Sequence, residues 1–327
     1  MRVSRRAWGW MLAAAAAAGA SALAAQAWQA PEHTSKWPGL LTGGNVADAK
    51  TSLDLGPQLE RGRWPAFELA EHRRLEAALA AIPAQRPGIV DAYVVSVALD
   101  SDPVFGREAR EAGKVLARRF DAADRTIVLA GTEGNGPSAL PMGSLHSLTL
   151  VLARIAERMD RQEDVLVLYV TSHGAPIGIA YHDGDEGFGF LSPNRFARQL
   201  TSLGIHNRLL ILSACYSGTF VAALSGDTTA LFTAAASDRT SFGCPADNDW
   251  TYFGDAMINH ALRKPQPLAD ASAEALRMIG EWEHRKRNTP SNPQVSIGDG
   301  VSAWLAPLEA RMPRTATEPV GRPAAGG

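Results

Sequence analysis

At 327 residues, 46% hydrophobic and 20% charged, the chain is long enough to bury a large core, as one big domain or two modest ones. Its formal net charge of −2 excludes the basic footprint of a nucleic-acid-binding protein. With only two cysteines, Cys215 and Cys244, no disulfide framework holds the fold.

The first residues read as an export signal. Arg2, Arg5 and Arg6 make a positive start, an Ala-rich apolar run continues to about Ala20, and Ala25-Gln26-Ala27 fits a small-x-small cleavage site. This predicts a signal peptide over residues 1–27, a mature chain starting at Trp28, and a periplasmic or secreted location. Ser4-Arg5-Arg6 also permits a twin-arginine route. The apolar run is near the short end for spanning a bilayer, so membrane attachment is expected only if the segment stays uncleaved.

Residues 28–87 read as an N-terminal extension with one helix. Phe67, Leu69, Leu75, Leu79 and Ile82 recur at roughly helical spacing, and Pro83 stops the pattern. The main domain runs from about 88 to 305. Its first strand spans Ile89 to Leu99, a helix follows from about Gly106 to Phe120, and Arg125 to Ala130 is a second strand. The cluster Gly131-Thr132-Glu133-Gly134-Asn135-Gly136 is read as a crossover loop, because Pro137 follows at once and no acidic residue marks a dinucleotide unit. Ser144 to Arg161 is a strong amphipathic helix.

Two apolar runs then dominate. Asp164 to Val170 closes with Thr171-Ser172-His173-Gly174, and Arg208 to Leu212 closes with Ser213-Ala214-Cys215-Tyr216-Ser217-Gly218. Short, near-continuous apolar runs are the mark of strands buried on both faces. Between them lie a loop, Gly178 to Phe190, and a helix from Pro193 with Ser192 as its N-cap. The loop's acidic stretch His182–Gly187 lacks the spacing of a calcium loop and reads as a solvated turn. Leu231 to Ala235 is a further strand, Trp250–Leu262 and Asp270–Arg287 are helical, and Gln294 to Ile297 reads as an edge strand. Residues 306–327 turn rich in Pro, Ala and Gly and predict a disordered tail. Strands alternating with helices imply an α/β domain whose mostly parallel sheet of about six strands is covered on both faces.

Ligands in such sheets bind beyond the carboxyl ends of the strands, which places His173 beside Cys215. A thiol with a pKa of about 8.5 is a poor nucleophile near neutral pH, and a neighbouring His can hold it as thiolate or take its proton. Ser217-Gly218 would begin a helix whose N-terminus adds positive dipole near the sulfur. Cys215 is the candidate nucleophile, His173 the proton donor and acceptor, and the N–H groups of Gly174 and Cys215 the candidate oxyanion hole. Gly174, lacking a Cβ, would let substrate approach closely. Against this stand a buried core cysteine with a capping His, and a Cys215–Cys244 bridge of the kind oxidising compartments allow.

The apolar block ending Ser172-His173-Gly174, followed by the block ending Ala214-Cys215-Tyr216-Ser217-Gly218, resembles the legumain-like family of clan CD cysteine peptidases, bacterial branch. The resemblance extends through Phe232–Cys244 and Thr251–Asp255 and spans about residues 88–305. It implies a caspase-like α/β/α sandwich, a Cys–His dyad, and no metal or organic cofactor. The implied activity is that of an exported endopeptidase working through a thioester acyl-enzyme on protein or peptide substrates. A transpeptidase is also open, since the family includes the GPI-anchor transamidase catalytic subunit, as is a non-catalytic binding protein on the same scaffold. For the substrate pocket, the resemblance maps Ser241 and Asp255 onto the family's Ser and Asp positions. Ser213 stands where an acidic residue is expected, and Arg107 is the nearby basic candidate.

Overall fold

The computed structural model describes residues 58–131 and 139–325. The export segment and the Gly-rich crossover at 132–138 lie outside the described residues, all of which belong to one compact unit.

Six strands build the main sheet: β2 (Ala92–Ala98), β3 (Thr126–Leu129), β4 (Val165–Thr171), β8 (Arg208–Ser213), β9 (Thr229–Thr233) and β10 (Gln294–Ile297). Their order is β10-β9-β8-β4-β2-β3, parallel throughout except for β10, which pairs antiparallel with β9 at the edge. Alternate residues of each strand feed two cores. Val94, Val165, Val167, Tyr169, Leu209 and Ile211 face one layer, built with α2 (Pro103–Arg119), α5 (Leu268–Lys286) and α6 (Val301–Ala310). Tyr93, Val95, Val97, Leu166, Leu168, Val170, Leu210 and Leu212 face the other, built with α1 (Pro65–Ala81), α3 (Leu145–Arg158) and α4 (Pro193–Ser202). A buried Val, Leu or Ile is worth about 1.5–3 kcal/mol. A one-residue slip of a strand would exchange its two faces, so these side chains fix the register.

The apolar runs therefore become the central strands, and the helices form where the sequence places them. Ser144 caps α3 by accepting from the Ser147 N–H at 3.0 Å, and Ser192 caps α4 by accepting from Arg195 N–H at 3.3 Å. In the described structure, the predicted helix after Cys215 is shorter than the sequence implies. A 3-10 turn at Ser217–Phe220 runs into a four-residue α turn, Val221–Leu224. So short a helix carries little macrodipole. The Trp250–Leu262 helix is also irregular: a brief α turn at Tyr252–Gly254 widens into a π-helical stretch at Asp255–His260.

Two regions depart from expectation. The segment read as a loop, Gly178–Phe190, is largely a hairpin of β6 (Gly178–Asp183) and β7 (Gly187–Leu191). With β1 (Gln58–Glu60) and β5 (Gly174–Ala175) it forms a second, antiparallel sheet in the order β1-β7-β6-β5. Buried Arg63 helps hold this sheet by pairing with Asp183 at 2.6 Å and with Glu60. Glycines at 184, 187 and 189 dilute the period-2 signal, and β1 lies far away in sequence.

The C-terminal segment is not a loose tail. Helix α6 occupies Val301–Ala310, and the chain beyond it docks along the body through residue 325. The Val320 carbonyl accepts from Trp250 Nε1 (2.8 Å) and Asn259 Nδ2 (3.0 Å), Ala324 N–H donates to Asp255 Oδ2 (2.7 Å), and Ala325 joins the core. Paired backbone polar groups replace the apolar pattern that a sequence reading would look for.

Candidate active site

Strands β2, β4, β8 and β9 are neighbours and parallel, so their carboxyl ends share one edge of the sheet. The β4–β8 register pairs Thr171 with Ser213, and Ser172 N–H donates to the Ser213 carbonyl at 3.2 Å. His173 and Cys215 each follow two residues beyond that pair and stand on adjacent strand ends. Gly174 serves this closeness differently from its expected role. A Cβ built there would overlap the carbonyl of Cys215, so it is the loop after β8, in the described structure, that approaches the glycine.

The thiol is half-buried, and its surroundings favour the thiolate. Ser241 N–H donates to Sγ at 3.3 Å, with Ser241 Oγ at 3.7 Å. Cys215 falls to a pKa of about 6, chiefly through a hydrogen bond from the Cys244 thiol. Burial opposes the shift, while Ser241's side chain and backbone and the charge of His173 reinforce it. Cys244 moves the opposite way, raised by that same hydrogen bond and by burial. Both cysteines are free thiols, so the bridge considered from the sequence is not formed here. Among the described contacts, Cys215 Sγ has no direct hydrogen bond to His173, and the Cys215 N–H has no acceptor.

His173 is held from a direction the sequence did not disclose. Its Nε2 lies 3.1 Å from Asp102 Oδ2, and its ring packs edge-on against Phe105 with centroids 4.9 Å apart. Asp102 sits at the start of α2, just after β2, where it reads as an ordinary capping residue. With Nε2 engaged, Nδ1 is the nitrogen left for reacting groups.

The pocket candidates divide. Ser241 lies against the sulfur. Ser213 is buried, and its hydroxyl is spent on Glu108 Oε1 and Thr251 Oγ1, each at 3.1 Å. Glu108, from α2, is fully buried and accepts from Tyr169, Thr171 (2.8 Å), Ser213 and the Thr251 N–H (2.7 Å). A carboxylate thus reaches the position beside Ser213 from another element, and burial raises its pKa. Arg107 binds the carbonyls of Ala246 and Asn248 and lies 3.3 Å from Asp249, bracing the loop that carries Cys244. Asp255 is fully buried, with its oxygens committed to Asn259 Nδ2 (2.8 Å) and Ala324 N–H (2.7 Å). The structure places it under the C-terminal segment.

Residues 153–299 match the model of the Peptidase C13 family, the legumain family of clan CD. Among solved structures, caspase-1 from Spodoptera frugiperda is similar at 11% identity and a TM-score of 0.44, over 66% of this chain and 92% of that one. No curated protein matches significantly. The segment holding His173 and Cys215, residues 153–299, is thus similar to the Peptidase C13 family of cysteine-type peptidases.

Proposed function

We propose that the protein is an exported cysteine endopeptidase whose nucleophile is Cys215 and whose proton carrier is His173. The observation that carries this reading is the Thr171–Ser213 pairing, which brings the two side chains to neighbouring strand ends. The preformed thiolate attacks a peptide carbonyl carbon, forming a C–S bond and moving the carbonyl electrons onto oxygen. The Cys215 N–H, with that of Gly174, stabilises this oxyanion, an effect worth about 10²–10³ in rate per donor. As the C–N bond breaks, the His173 imidazolium gives its proton to the departing amine. Water, deprotonated by neutral His173, then attacks the thioester to release the acid and restore the thiolate. Proton transfer of this kind contributes about 10²–10⁴.

The division of labour follows from the contacts. Cys244, Ser241 and the charge of His173 together favour the ionised sulfur, and Asp102 keeps the ring oriented for the leaving group. Of the pocket candidates, Ser241 is the one we place against substrate. Ser213, Asp255 and Arg107 act through the walls of the site: Ser213 on Glu108, Asp255 on the C-terminal segment, Arg107 on the 246–249 loop. The proposed export rests on the charged and apolar pattern of residues 1–27. Mature N-termini at Trp28 on protein recovered from the periplasm or medium of an expressing bacterium are the expected result.

Digestion of a mixed peptide library under reducing conditions, beside Cys215→Ala, tests the activity. Cleavage by the parent alone, clustered after one residue type, is expected. A well-folded parent that cleaves nothing between about pH 4 and pH 8 would overturn the reading.

A further inference from the structure

We propose that Asp100, Asp102 and His173, with His182 alongside, form a binding site for a divalent transition-metal ion such as Zn²⁺, and that the ion occupies the same histidine nitrogen that Asp102 now orients. The binding half of this inference stands on geometry alone. Its inhibitory half rests on the proton-transfer role proposed for His173.

Asp100, Asp102 and His173 each offer a ligand atom, and these atoms all lie within 4.8 Å of one another. Asp100 is the anchor. It is only 4% exposed, its Oδ1 is taken by the Asp102 N–H at 2.9 Å, and its Oδ2 has no hydrogen-bond partner. His182 Nδ1 stands 3.5 Å from that oxygen. The backbone fixes this arrangement: His182 N–H donates to the Leu99 carbonyl and Ser101 N–H to the His182 carbonyl, each at 2.9 Å. A buried carboxylate oxygen left without a donor is costly, and a cation at that point would satisfy it.

The remaining ligands are free to close. The side chains of Asp102 and His173 are 46% and 43% exposed, so an ion can enter from solvent. Zinc binds His nitrogen and carboxylate oxygen at about 2.0–2.2 Å in tetrahedral sites. Closure therefore needs the present spread of ligand atoms to tighten by about an ångström or more. The chemistry of the set selects among metals. Calcium and magnesium prefer shells made of oxygen, whereas imidazole with carboxylate suits zinc, cobalt or manganese. Metal on His173 Nε2 excludes the Asp102 hydrogen bond and prevents formation of the imidazolium, so the occupied enzyme lacks its proton donor.

A thiol would compete for the same ion, so the test uses the full chain carrying Cys215→Ala and Cys244→Ala. Calorimetric titration with ZnCl₂ and visible absorption with Co²⁺ are expected to report one ion per chain and a cobalt spectrum of N/O ligation. Asp100→Asn in that background should weaken zinc at least ten-fold, with its metal-free melting curve showing that it folds. Should Asp100→Asn fail to fold, the half-exposed Asp102→Asn decides by the same criterion. No zinc binding by the thiol-free chain, or affinity indifferent to both substitutions, would overturn the site. Because these readouts need no turnover, they stand or fall separately from the peptidase reading.

Discussion

The backbone carbonyl of Cys215 packs onto Gly174 so closely that a methyl group on the glycine would overlap it. Both partners are backbone or next to it, and neither can swing aside as a long side chain would. Gly174→Ala is expected to destabilise the fold by about 1–3 kcal/mol, the range for overpacking. It should also abolish peptidase activity by displacing the N–H groups beside the thiol. Thermal melting and turnover check the two effects separately, and wild-type turnover by the alanine variant would refute the close approach.

The relation between the two cysteines predicts a pH profile. With Cys215 near a pKa of about 6, iodoacetamide should modify it rapidly down to roughly that pH, while Cys244, raised by its hydrogen bond and by burial, stays slow. Thiolate is lost as the pH falls through the depressed value, so the acid limb of kcat/KM should lie there too. Cys244→Ala removes the donor and should move both alkylation and the acid limb toward the ordinary thiol range. Profiles that do not move would show that Ser241 and His173 suffice.

Asp102→Ala should leave the chain folded, since the side chain is half-exposed. Activity should fall by about ten-fold or more, less than the 10²–10⁴ expected for His173→Ala. Asp102→Asn, which retains a polar partner for the ring, should recover part of the loss, and the comparison is read in kcat.

Glu108→Gln puts an NH₂ group into a buried cluster of donors: Tyr169, Thr171, Ser213 and the Thr251 N–H. An unsatisfied buried group costs about 1–3 kcal/mol, and urea titration should register a loss of that size. Unchanged stability would mean the cluster accommodates an amide by turning its hydroxyls.

Asp255→Asn separates two roles. If Asp255 fastens the C-terminal segment, the substitution lowers the melting temperature and exposes residues 315–325 to added protease, without changing the preferred cleavage residue. A changed preference in a chain of unchanged stability would instead return Asp255 to the pocket.

The strands, and the placement of His173 and Cys215 at neighbouring strand ends, were readable from the chain because apolar runs broken by His-Gly and Ala-Cys announce both burial and a strand end. Asp102 was hidden behind Pro103, where an acid is an ordinary way to open a helix. Glu108 reads as one more charge on an amphipathic helix, and only the tertiary placement of Tyr169, Thr171 and Thr251 reveals its burial. The second sheet depends on β1 meeting β7 across more than a hundred residues, a partnership without local signal. The docked C-terminus is held by backbone groups of Val320 and Ala324, which composition cannot distinguish from those of a free chain.

Asp102, His173, Cys215 and Ser241 follow β2, β4, β8 and β9, four adjacent strands separated widely along the chain. No pair of them is brought together by a hairpin or a single helix. The site therefore comes into being only when the three parallel pairings that join these strands have closed, each at the entropic cost of a long loop. Regain of turnover after dilution from denaturant is expected to trail the recovery of helical signal, so that activity serves as a clock for the last stage of sheet assembly.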